Sequence, residues 1–207
     1  MKKLKFFLDP ISQVAPWLNK WESIGYILAN VDKYSYLFKE EDSDVMYEVL
    51  YVGDYEIKEL EGYKKYLRSQ NKRYFHLPLD QGGLITGDLG FLRPFTKQAE
   101  KLESTFSTKN RELLIIESPK SKPENPENNY EHLSKEYESI SKKYFATLLF
   151  VVLGAFLVLR SIYRDGFRLI AAIALILLAI FFFDYLVLVI FSNKNAEKYR
   201  KISKQKV

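Results

Sequence analysis

The sequence predicts an α+β domain followed by a pair of membrane-crossing helices, and three observations carry the prediction. Aromatic and β-branched residues alternate with others between Tyr34 and Tyr51, the period-two pattern of strands. Two stretches, Ile11 to Trp21 and Ile57 to Leu67, repeat apolar residues at helical spacing. Two long apolar runs, Phe145 to Tyr163 and Phe167 to Phe191, reach or exceed the roughly 20 residues that span a hydrocarbon core.

Taken in order, Lys3 to Leu8 reads as a strand. Asp9-Pro10 then supplies an N-cap acceptor and the residue best suited to a first helical position. Ile11, Val14, Leu18 and Trp21 give that helix one apolar stripe, and Gly25 is placed to stop it in a left-handed turn. Tyr26 to Lys39 reads as a strand. The acidic stretch Glu40 to Asp44 interrupts it, and Val45 to Val52 resumes with Tyr47, Val49 and Tyr51 on one side, so the pair reads as a hairpin. Gly53-Asp54 opens a second helix, about Tyr55 to Ser69, with Ile57, Leu60, Tyr63 and Leu67 on one face. Asn71 to Leu77 is a fourth strand. This order is that of a split βαβ, or ferredoxin-like, antiparallel sheet domain with two helices on one face.

Residues 78–111 form an excursion with turn chemistry at Gln81-Gly82-Gly83 and Thr86-Gly87-Asp88, and a short amphipathic helix within Pro94 to Phe106. Leu113 to Ile116 is expected to add a fifth strand beside the fourth, completing a soluble domain over residues 1–117. Three prolines make 118–129 a linker by composition. Residues 130–143 read as a charged juxtamembrane helix continuous with a first span at 144–163. A second span follows at 167–191, and 192–207 is a basic tail.

Charge supports this division. Residues 1–144 carry 22 basic and 23 acidic side chains, so the +5 of the whole chain sits next to the apolar runs. A basic face for nucleic acid is therefore not expected. Lys142 and Lys143 precede the first span, and Lys194, Lys198, Arg200, Lys201, Lys204 and Lys206 follow the second. Anionic headgroups attract such residues by about 1 kcal/mol each near the surface, which makes membrane lipids the first expected partner. Against them the connection holds Arg160, Arg164 and Arg168, with Arg160 able to snorkel. The balance of flanking Lys and Arg puts both termini on the cytoplasmic side of the cell membrane. The apolar run Phe6 to Leu8 is too short for a signal-peptide core, so the soluble domain is expected to stay where it is made.

Asp184 is the ionisable residue well inside the second run. A carboxyl at mid-span costs at least about 2.5 kcal/mol, so it is expected to meet a partner, water or a bundle interior. A role in self-association or in docking to another membrane helix follows as an expectation. No catalytic constellation appears. With no cysteine there is no thiolate, disulfide or cysteine metal site. His76 and His132 stand apart, the glycines between Asp80 and Gly90 lack phosphate-loop spacing, and no serine sits in a Gly-x-Ser-x-Gly context. No cofactor is expected. Exposed Tyr and Phe on a sheet could stack RNA bases, but the aromatic-glycine pattern of such sheets is missing, and core packing is the favoured reading.

Lys5-Phe6-Phe7-Leu8-Asp9, Trp17-Leu18-Asn19, Gly25-Tyr26 and the aromatic residues from Tyr34 to Tyr51 resemble a bacterial family described only as domain of unknown function 2812. The resemblance covers most of residues 1–143. It implies C-terminal membrane helices and a link to PadR-type transcriptional regulators, beside whose genes the family often lies. It implies no catalytic residue. The expected function is that of a membrane-anchored interaction or regulatory protein, with an accessory role in a transport or peptide-export complex as the alternative.

Overall fold

A computed structural model describes residues 1–32, 34–79, 112–166 and 169–205. These divide into two compact units, one ending at Leu133 and the other beginning at Ser134. The first contains β1 (Lys2–Leu4), α1 (Pro10–Glu22), β2 (Tyr26–Asp32), β3 (Ser35–Glu40), β4 (Val45–Tyr51), α2 (Ile57–Ser69), β5 (Arg73–Pro78) and β6 (Glu112–Pro119). The strands pair antiparallel into two three-stranded sheets, ordered β1-β3-β2 and β4-β6-β5. The chain is thus α+β.

A split βαβ domain has one four-stranded sheet, and the difference arises in the aromatic run from Tyr26 to Lys39. It is two strands, not one. The run folds back after Asp32, which pairs with Ser35, so the hairpin forms inside the run rather than with Val45 to Val52. β4 is left to pair with β6, from Val45 opposite Pro119 to Tyr51 opposite Leu113. β6 takes β5 on its other side, as expected of the fifth strand. Leu113 to Ile116 are fully buried, which explains four consecutive apolar residues where a half-exposed strand would alternate. The expected excursion falls almost wholly on 80–111, outside the described residues.

Helix α1 starts with Pro10 as expected, but the Asp9 carboxylate accepts from the Ser12 hydroxyl at 2.7 Å rather than making the expected cap bond to a backbone N–H. Gly25, at φ +85°, turns the chain out of it. Val14 and Leu18 are buried, and Trp17 meets Tyr36, Phe7 and Phe38 edge-on at 4.9, 5.5 and 5.6 Å between centroids. Edge-to-face contacts of this kind add to the area that the rings bury. Tyr36 and Phe38 are therefore interior rings, and Leu37 between them points outward. α2 packs Leu60 and Leu67 on Leu50, Val52, Leu114 and Ile116. Ile57, expected on that face, is exposed instead.

β4 is an edge strand whose free side is covered by side chains. The Asn19 amide of α1 donates to the Tyr47 carbonyl (3.1 Å) and accepts from the Tyr47 N–H (2.7 Å). Asn128 does the same one step along, donating to the Val49 carbonyl (3.2 Å) and accepting from the Tyr51 N–H (2.6 Å). A primary amide carries one acceptor and two donors, so it can replace a neighbouring strand. Glu48 accepts from the N–H groups of Glu124 and Asn125 at 2.7 and 2.8 Å. The segment read as a linker is thus fastened along β4, and Lys72 adds a buried ion pair to Glu124.

The two sheets meet where β2 approaches β5. A bulge at Ala29 interrupts the pairing of β2 with β3. The Leu28 N–H donates to the Tyr47 hydroxyl at 2.7 Å, its carbonyl accepts from Arg73, and the Tyr47 hydroxyl donates to Glu117 at 2.9 Å. Burial holds the Tyr47 hydroxyl protonated and pushes the Glu117 carboxyl up, which Tyr47 and Arg73 only partly offset.

The remaining elements are α3 (Tyr130–Asp165) and α4 (Leu169–Gln205). α3 begins on a cap from Asn129, whose side chain accepts from the His132 N–H at 3.0 Å. It runs without a break from the charged segment into the apolar one, as the sequence predicts.

Two outcomes are expected. Asn19→Leu leaves two backbone groups of Tyr47 unpaired and lowers unfolding free energy by about 2 kcal/mol or more. Urea titration followed by tryptophan fluorescence checks this, because both tryptophans, Trp17 and Trp21, stand in the ring cluster on α1. Because Glu117 holds its proton more tightly folded than unfolded, its contribution rises as pH falls from the raised value to the ordinary carboxylate range. The stability of the wild type relative to Glu117→Gln therefore increases across that window, and a pH-independent difference contradicts the assignment.

Candidate functional site

In the second unit α3 and α4 run antiparallel. The Ser134 hydroxyl donates to the Ala196 carbonyl (2.8 Å), Ser141 to the Val189 carbonyl (3.4 Å), and the rings of Tyr144 and Tyr185 lie 6.1 Å apart. Further along, Gly154 faces Leu178, where an added Cβ would stand 3.5 Å from the leucine. Ser134, Tyr137, Ser141, Tyr144 and Leu148 are buried at alternating spacings of three and four. Tyr185, Leu188, Ser192, Asn195 and Tyr199 repeat the pattern on α4. That is a heptad seam, and its serines let the helices approach closely enough for hydroxyl-to-carbonyl bonds. Tyr137 and Tyr199 stack across it at 5.7 Å with planes 10° apart.

The outward faces are apolar. Leu149, Phe150, Leu153, Phe156 and Leu157 of α3, and Ile170, Ile173, Ile176 and Phe183 of α4, are all exposed. Only 6% of the most apolar stretch of α3 and 11% of that of α4 are buried. A core helix of a water-soluble protein hides such a surface. Both helices are long and apolar enough to cross a membrane.

Asp184 lies on the buried face of α4, four residues from Leu188 and next to Tyr185. Its Oδ2 atom is buried and has no hydrogen-bond partner among the described residues. Of the basic residues singled out from the sequence, Lys142, Lys143, Lys194, Lys198 and Lys201 are exposed. Lys142 reaches Glu138 at 3.0 Å, and Arg200 reaches the same carboxylate from the other helix at 3.1 Å. Those two cations hold the Glu138 carboxyl below the usual range. Arg200 therefore ties the helices together rather than standing free. Lys194 and Lys198 lie over the rings of Phe191 and Tyr199 at 5.7 and 4.9 Å.

In the first unit His132 accompanies Tyr51, with Nδ1 3.1 Å from the hydroxyl and the rings 5.7 Å apart. Beside it opens a cleft of about 530 Å³ lined by Gly53 to Lys58. His76 is on β5 and pairs with Glu112 at 2.9 Å. Among the described residues no three His, Asp or Glu side chains are grouped to hold a metal ion. The buried Tyr47 and Glu117, with the exposed Arg73, join the sheets. Sequence reading did not find the amide clips of Asn19 and Asn128, because an asparagine that replaces a strand carries no periodic signal.

Comparison with protein-family models, curated proteins and solved structures finds no match for the chain.

A buried carboxylate oxygen without a donor costs about 1–3 kcal/mol. Asp184→Leu is expected to raise the midpoint of thermal unfolding in detergent by several degrees. A lowered midpoint contradicts the reading of the Asp184 Oδ2 atom as unpaired in the isolated chain.

Proposed function

We propose that the chain is a membrane-anchored interaction or regulatory protein, held in the cell membrane by α3 and α4, with both termini cytoplasmic and without catalysis of its own. The observation that carries the reading is the exposed apolar surface of the two helices, which lipid can cover at no cost and water cannot. The basic residues flanking the apolar runs support the orientation. The resemblance of most of residues 1–143 to domain of unknown function 2812 supports a regulatory role, and a transcriptional regulator is one class of partner it points to. The orders β1-α1-β2 and β4-α2-β5 support a doubled strand–helix–strand plan of the split βαβ kind, with its sheet parted between β2 and β5.

A second reading, an accessory subunit of a transport or peptide-export complex, is favoured by Asp184. A carboxyl oxygen without a donor in the isolated hairpin can gain one when a further membrane helix docks.

Crosslinking in native membranes separates the readings. The chain is expected to resist extraction by alkaline carbonate and to yield a crosslinked partner, or itself, through the first unit. Co-purification of a transporter that is lost in Asp184→Leu selects the second reading. Release of the chain into the carbonate supernatant overturns both.

A further inference from the structure

We infer that the free edge of β1 receives an extended acidic segment of a partner protein, which joins the first sheet as a fourth strand. This rests on the interaction reading proposed above and names its surface and the chemistry of its partner. Two three-stranded sheets have four edges, and in the first unit three of them are covered. Asn19 and Asn128 close β4, while β2 and β5 meet at the junction that Tyr47 and Arg73 fasten. β1 is the edge that remains, and among the described residues no strand pairs with its outer side. Its pairing with β3 fixes which backbone groups face outward. The Met1 carbonyl accepts from the Phe38 N–H at 2.7 Å, and the Lys5 N–H donates to the Tyr34 carbonyl at 2.9 Å. Backbone groups alternate in direction along an antiparallel strand, so those of Lys3, opposite Tyr36, also turn toward β3. Those of Lys2 and Leu4 turn away, and each offers an N–H and a C=O to a new strand.

Side chains around this edge suit an added strand. Leu4 is 76% exposed and shares the outer face with the exposed Leu37, since Lys2 pairs with Leu37 and Leu4 with Ser35. Just past β1 a groove of about 510 Å³ opens between the chain at Phe6 to Leu8 and α1 at Pro16 and Trp17. Strand addition gains affinity from main-chain hydrogen bonds and specificity from such side-chain pockets. Charge selects the occupant. Lys2, Lys3 and Lys5 stand on or beside the edge, with no acidic residue between Met1 and Leu8 or between Ser35 and Lys39. Lys3 and Lys5 lie over the rings of Trp21 and Phe7 at 4.9 and 5.8 Å, contacts that position the charges without neutralising them. A second copy of β1 would set lysine against lysine, whereas a strand carrying Asp or Glu sets opposite charges across the new pairing.

Fluorescein-labelled peptides of alternating glutamate and valine, and of alternating lysine and valine, are titrated with the full chain in detergent and read by anisotropy. The glutamate peptide is expected to bind severalfold more tightly than the lysine peptide, with the preference falling as salt is raised. Leu4→Pro removes an outward N–H and puts a ring in the path of an incoming strand, while the bonds to β3 are spared. It is expected to lose the binding with tryptophan fluorescence and circular dichroism unchanged. Lys2→Glu with Lys5→Glu keeps the edge and is expected to turn the preference toward the lysine peptide, so the decision does not hang on the proline variant folding. A wild type that binds neither peptide overturns the inference, the lysines then serving only to guard the edge. Binding that survives in folded Leu4→Pro also overturns it, as adsorption by charge alone. A partner crosslinked in native membranes equally by the wild type and by Leu4→Pro overturns the inference and leaves the interaction reading standing. A wild type that crosslinks to nothing overturns the reading itself.

Discussion

Two helices of 36 and 37 residues, each about 54 Å long, bury a seam against one another and leave their outer faces to the surroundings. Along the apolar stretches those faces are leucine, isoleucine, valine and phenylalanine. In water such a surface drives aggregation. In lipid it has no cost, and every backbone group is satisfied within its own helix. The solvent of these faces decides what the chain is. The seam itself changes character along its length: tyrosine, serine and asparagine in the charged halves of the helices, glycine and aliphatic residues in the apolar halves.

The first unit is organised by β4. Its inner edge pairs with β6, and its outer edge is closed by amides from α1 and from the segment after β6. The Tyr47 hydroxyl extends the same strand to the bulge in β2 and so fastens one sheet to the other. Closing an edge in this way blocks pairing with a foreign strand, a hazard of any short antiparallel sheet. Because Asn128 and Glu48 draw on residues 124–128, the approach to α3 is part of the folded unit rather than a loose tether.

Helices were the most legible part of the sequence. Pro10, the stripe through Val14 and Leu18, and the glycine at 25 define α1 nearly to the residue, since a fixed φ, a left-handed stop and periodicity are local. The strands were legible as elements but not as partners. Tyr26 to Lys39 looks like one strand because its composition is uniform, while the turn after Asp32 has neither glycine nor proline to mark it. Register is a long-range property, and the choice of β6 as the partner of β4 spans about seventy residues with no local trace. Asp184 stands out as a charge among apolar residues, but its burial follows only from its place beside Tyr185 in the heptad that continues through Leu188, Ser192, Asn195 and Tyr199. The clips at Asn19 and Asn128 leave no pattern at all.

The chain has no cysteine, so single cysteines can be introduced without background. The most direct measurement is a scan of cysteines along both C-terminal helices in native membranes, read by reaction with a maleimide that requires water at the thiol. Positions such as Phe150, Phe156, Ile176 and Phe183 are expected to stay unreactive until detergent or denaturant is added, while Lys142, Lys194 and Lys201 label at once. Rapid labelling of the outward apolar positions in the untreated membrane contradicts the account, because water rather than lipid would then be covering them.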